Sequence, residues 1–172
     1  MKVSVKLFLF SAVFVFVFLA ISSFYILRNQ SVNDSQITVP NLGQAKLPEK
    51  IIRIGTTEIK VEVARTNESR MSGLSNRLIL EQGKGMLFEF DQDDRYSFWM
   101  KEMKFPIDII WLDSDFKVVY VVNKAEPESY PNLFTPNTDA RFVLEVPAGF
   151  VESHNISIGN KFEDVPRDVV SY

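Results

Sequence analysis

Residues 51–64 read IIRIGTTEIKVEVA, and their spacing decides the fold class. In the second half Ile59, Val61 and Val63 fall on one face, while Glu58, Lys60 and Glu62 fall on the other. A period of two is the signature of a half-buried strand. The isoleucines ahead of it predict a partner strand, and Gly55-Thr56-Thr57 can turn the chain between the two. Working outward, strand signals recur in GMLFEF (85–90), RYSFWM (95–100), FPIDIIWL (105–112), KVVYVVN (117–123), RFVLEV (141–146) and KFEDV (161–165). DQDD (91–94) reads as a loop, and KEMK (101–104) and Asp113-Ser114-Asp115 read as turns. Pro127, Pro131, Pro136 and Pro147 border or interrupt a loop around NLFTPNTDA. Thr66 or Asn67 is positioned to cap a short helix that ends near Gly73. Many short strands with one or two short helices predict a mainly β domain, a sandwich or a barrel.

The N-terminus follows different rules. Residues 7–27, LFLFSAVFVFVFLAISSFYIL, carry no charge, and about 20 apolar residues suffice for a helix to cross a bilayer. Lys2 and Lys6 precede this run and only Arg28 follows closely, so the positive-inside rule puts the N-terminus in the cytoplasm and the domain on the extracytoplasmic side. A cleaved signal peptide is the competing reading, with Ala20-Ile21-Ser22 as its site, but the apolar stretch continues past it. Residues 29–48 are polar and read as a tether. The expected organisation is a membrane anchor over 1–28, a linker over 29–48 and a mainly β domain over 49–172.

Composition excludes several functions. The chain has no cysteine, so disulfides, Cys-based zinc sites, thiol nucleophiles and lipid attachment at cysteine are ruled out. From Glu49 to Tyr172 there are 15 Lys and Arg against 21 Asp and Glu, a net of −6, with none of the basic patches of a nucleic-acid binder. His154 is the only histidine, so a His-rich metal site is impossible and a catalytic triad would have to use it. GLSNR around Ser75 lacks the second glycine of a nucleophile elbow. Asp91, Asp93 and Asp94 begin like a calcium loop, but Tyr96 and Met103 stand where that loop needs Gly and Glu. Gly83-Lys84-Gly85 is too short for a phosphate loop. Neither a metal nor a cofactor is expected.

What remains is charge placed inside apolar segments. In PIDIIWL, Asp108 shares a strand face with Ile110 and Leu112; in FVLEVP, Glu145 is set among Phe142, Val143, Leu144 and Val146. A buried carboxylate without a partner is very costly. Arg70, Lys101 and Arg141 are cations within reach in sequence, and an Arg–carboxylate pair would satisfy either acid. The alternative is a pocket in which these groups bind a ligand or move a proton. Phe98, Trp99 and Trp111 could line such a pocket or be plain core.

Taken in order, Arg70-x-x-Gly73-Leu74, Gly85-Met86-Leu87-Phe88, Phe98-Trp99-Met100-Lys101, Pro106-Ile107-Asp108-Ile109, Ala125-Glu126-Pro127, Val143-Leu144-Glu145 and Gly149 resemble domain-of-unknown-function family 192, over roughly residues 49–164. The resemblance implies a small jelly-roll-like β-sandwich, often exported or membrane-anchored, and brings no established activity or cofactor. Arg70, Trp99, Lys101, Asp108 and Glu145 match the family's polar and aromatic signature. Ser75 stands where Met is common, and Glu102-Met103 replaces the usual Asn-Thr. The leading expectation is a membrane-anchored domain that binds a small polar ligand or envelope component, with Arg70, Lys101, Asp108 and Glu145 as its polar cluster. The alternatives are a hydrolase or lyase using Asp108 and Glu145, and a structural or protein-interaction module of the envelope.

Overall fold

The structure, a computed structural model, describes residues 46–165. The apolar segment expected to cross the membrane and most of the tether lie outside the described residues. Among the described residues no helix is long and apolar enough to cross a membrane. Seven strands occur: β1 (Glu49–Ile54), β2 (Thr57–Ala64), β3 (Lys84–Asp94), β4 (Ile107–Leu112), β5 (Val118–Ala125), β6 (Ala140–Pro147) and β7 (Glu163–Val165). Two short helices, α1 (Asn67–Ser72) and α2 (Phe150–Ser153), and a 3-10 turn at Pro127–Ser129 complete the elements.

The strands form one sheet in the order β5-β4-β6-β3-β2-β1-β7. All neighbours are antiparallel except β2 and β3, which run parallel. A parallel pair needs a crossover, and α1 with the turns after it supplies the connection. The two ends of the strand order approach each other. Val118 N–H donates to Asn160 O and Phe162 N–H to Phe116 O, and Lys117 bridges Lys161 just ahead of β5 and β7. Of the expected sandwich or barrel, one sheet curled like a barrel is therefore what forms.

Curling gives the sheet two buried faces. Inside lie Ile52, Ile59, Val61, Val63, Leu87, Ile110, Leu112, Leu144 and Val146, with Phe150 and Val151 of α2 packed against them. Outside, Met86, Phe88, Ile107, Ile109, Trp111 and Val143 are covered by Leu74, Met100 and Met103 from the connecting segments. β4 lies between β5 and β6, and all six of its residues are buried. A strand covered on both faces reads as a continuous apolar run, which explains PIDIIWL. β3 and β6 approach so closely at Gly85 that a Cβ there would lie 2.7 Å from the Glu145 carbonyl oxygen.

Two sequence expectations change. DQDD is strand, because β3 continues through Asp94, which pairs with Ala140 across a register shift, and Arg141 bonds Asp93 at 2.6 Å. RYSFWM is not a strand: it has a single bridge, Phe98 with Phe134. Two of its aromatics are packed, with Phe98 edge-on to Phe88 at 4.8 Å and Tyr96 stacked on Phe90. The expected helix is present as α1, with Thr66 as its cap and Gly73 at its end.

Candidate functional site

Asp108 is fully buried on the inner face of the barrel. One carboxylate oxygen accepts the Lys124 N–H and the other accepts the Val151 N–H, each at 2.8 Å. Lys124 lies where the β4–β5 register slips, in a left-handed conformation at φ +50°. Val151 is the second residue of α2, whose own N-cap, Gly149, has no side chain to offer. The carboxylate thus caps that helix from across the sheet, a role usually taken by a local Ser, Thr, Asn or Asp. Asp108 is a structural tie between a bulge and a helix.

Glu145 faces the other way. Asp108 is paired with Val146 and Ile109 with Glu145, so alternation sends the two carboxylates to opposite faces of the sheet. This leaves a two-carboxylate hydrolase or lyase without its geometry. Glu145 sits on the interior strand β6 and is only 5% exposed, and its Oε2 has no hydrogen-bond partner among the described residues. Burial pushes its carboxyl up to about 8, against the pull of the Arg77 charge. It is therefore held protonated at neutral pH. Arg77 does not relieve it, because its guanidinium grips Glu62 with both terminal nitrogens, at 2.5 and 2.8 Å.

Glu145 forms part of the wall of a cavity of about 490 Å³. α1 and the turn after it border one side and the segment from Tyr96 to Met103 the other, over the outer face of β3 and β6. Leu74, Phe88, Phe98 and Met103 make it apolar. Arg70 and Lys101 add two cations. The Arg70 guanidinium donates to the Arg65 carbonyl, to the Glu89 carbonyl at 2.9 Å and to Asn67 Oδ1 at 2.7 Å, and lies 5.1 Å from the centre of the Phe90 ring. Lys101 Nζ lies 5.8 Å from the centre of the Trp99 ring. Trp99 is itself 43% exposed and meets Tyr130 edge-on. A site of this size, mostly apolar with a few convergent polar groups, suits a small ligand.

Of the residues singled out in the sequence, Arg70, Lys101, Glu145, Phe98 and Trp99 are brought together here. Asp108 is not. Trp111 is core, buried against Phe98 and Tyr120 with its indole N–H on the Tyr96 carbonyl. Arg141, considered as a partner for the buried acids, pairs with Asp93 instead. Sequence reasoning passed over Leu74, Phe88, Tyr96 and Arg77, which read as ordinary core or surface residues. Two positions that depart from the family pattern, Ser75 and Met103, line the cavity. The third, Glu102, is left-handed at φ +58° and accepts a bond from Asn76 Nδ2. Asn tolerates that backbone better than Glu, so an Asn there has a conformational reason.

The family model of domain-of-unknown-function family 192 (Uncharacterized ACR) matches residues 50–163. No curated protein matches the chain. Among solved structures, the chain is similar to a candidate transcription regulator from Sinorhizobium meliloti 1021, at 27% identity and a TM-score of 0.68 over 71% of this chain and 98% of that one. It is also similar to a protein of unknown function from Novosphingobium aromaticivorans DSM 12444, at 28% identity and a TM-score of 0.63 over 68% of this chain and 86% of that one. The matched span takes in β1 through the start of β7 and every cavity residue named above, and the chain belongs to domain-of-unknown-function family 192.

Proposed function

We propose that this protein is an extracytoplasmic domain, held to the membrane by residues 7–27, that binds a small polar ligand in the cavity beside Glu145. The observation that carries the reading is that Glu145, whose buried carboxyl has an oxygen without a hydrogen-bond partner, is one of the residues lining an apolar cavity. Such a group costs stability unless something satisfies it, and a bound hydroxyl, amide or acid would do so. The regulator description of the Sinorhizobium protein is not carried over, because residues 49–172 have 15 basic against 21 acidic side chains and nucleic-acid surfaces are basic.

A thermal-shift series on the purified protein against sugars, amino acids, nucleotides and organic acids tests the reading. A ligand that binds the native state raises the melting temperature with its concentration. The rise is expected to vanish in Ser75→Trp, which fills the cavity from its wall. A clean melt unmoved by the whole panel would shift the weight to a structural or protein-interaction module.

A further inference from the structure

We infer that the ligand of this cavity is an organic anion, with an apolar body between the aromatic walls and its charged group against Arg70 and Lys101. This rests on the reading that the cavity binds a small molecule, and it names the chemical class. The reason lies in which charges near the cavity are already matched. Arg65, Arg77 and Arg141 all have carboxylate partners. Among the described residues, Arg70 and Lys101 take part in no ion pair, yet both line the same cavity.

Their donors are not exhausted. The three bonds of Arg70 use both hydrogens of Nη1 and one of Nη2, all to neutral oxygens. A guanidinium carries five N–H groups, so Nε–H and one Nη2 hydrogen have no partner among the described residues. Among the described residues the Lys101 ammonium makes no hydrogen bond or ion pair and lies over the Trp99 ring. Among the described residues no acid forms an ion pair with either. Glu145 in the wall is kept protonated by burial. Glu68 on α1 feels Arg70 but makes no ion pair with it, and the Glu89 carboxylate is taken by Lys50 and Arg65. Two like charges lining one mostly apolar site favour an anion and oppose a cation.

The apolar half of the ligand follows from Leu74, Phe88, Phe98 and Met103. A protonated carboxyl such as that of Glu145, in the cavity lining, can donate to or accept from a polar atom of the ligand. A bare inorganic anion would leave this apolar surface unused, and a sugar would leave the cations unmatched. An aromatic or branched organic acid engages both.

A matched trio settles the class: 2-naphthoate, 2-naphthamide and 2-naphthylmethylammonium share one apolar body and differ in charge. Binding to the full chain in uncharged detergent micelles is followed by equilibrium dialysis, with empty micelles as the blank. The naphthoate is expected to bind at least about tenfold more tightly than the amide, with the ammonium weaker still, and its affinity is expected to fall as salt is raised. Lys101→Gln, at an exposed side chain, is expected to weaken the naphthoate several-fold and leave the amide unchanged; Arg70→Gln should do the same if it folds. Equal binding of naphthoate and amide, or preference for the ammonium, with all binding abolished by Ser75→Trp, would overturn the anion assignment and leave the cavity as the site. Failure of all three to bind, or binding indifferent to Ser75→Trp, would overturn the cavity reading and this inference with it.

Discussion

At the residue scale the two buried carboxylates show how one residue class is given opposite tasks by its surroundings. Asp108 accepts two backbone N–H groups, each at 2.8 Å. Asp108→Ala would leave the buried Val151 N–H unpaired, at about 1–3 kcal/mol, and free the part-buried Lys124 N–H as well. The expected loss is several kcal/mol in urea denaturation, with ligand binding retained in whatever fraction folds. Glu145 has no such donors, and its carboxyl titrates near 8 when folded against 4.5 in its ordinary state. Between those values the unfolded chain has released a proton that the folded protein keeps, so stability must fall as pH rises through that window. Denaturation midpoints at pH 5, 7 and 9 are expected to show that decline in the natural protein and its absence in Glu145→Gln. A variant whose stability follows pH as the natural protein's does would show that Glu145 is already satisfied.

At the element scale, the joint between β3 and β6 positions the site, because it carries both Phe88 and Glu145 into the cavity wall. The absence of a side chain at Gly85 lets these strands meet. Gly85→Ala puts a Cβ against backbone, which cannot rotate away. Overpacking of this kind costs about 1–3 kcal/mol, and the expected result is a matching drop in the urea midpoint together with weakened ligand stabilisation. α1 was legible in the sequence because its signals are local: the Thr66 hydroxyl accepts from Ser69 N–H, and Gly73 ends the helix in a positive-φ conformation. RYSFWM was misread for a reason of the same kind. Aromatic residues suit strands, but here Tyr96 and Phe98 serve as packing against Phe90, Phe88 and Trp111, while the backbone makes one bridge.

At the scale of the whole molecule, the apolar 7–27 segment makes a prediction that the folded domain does not. The protein is expected to stay in the membrane pellet after alkaline carbonate extraction. Protease added to the extracytoplasmic face is expected to cut within 29–48 and release the domain. Release by carbonate, or a mature N-terminus just beyond residue 22, would identify a cleaved signal peptide instead.

The sequence by itself determined the strands with clean alternation, the α1 caps, the lack of any thiol or His-rich metal site and the family. All of these are written in residue type and short spacing. It also nominated most of the polar and aromatic side chains that meet at the cavity. Only the tertiary structure decided that Asp108 and Glu145 work on opposite faces, that Trp111 is core, that Arg77 is held by Glu62, and that the strands close into one curled sheet. The physical reason is that these outcomes depend on pairing across long sequence separations. β6 enters between β4 and β3, and a shift of one residue in its register would exchange the faces of Glu145 and Val146. No local pattern encodes that register, whereas packing of both faces of the sheet does.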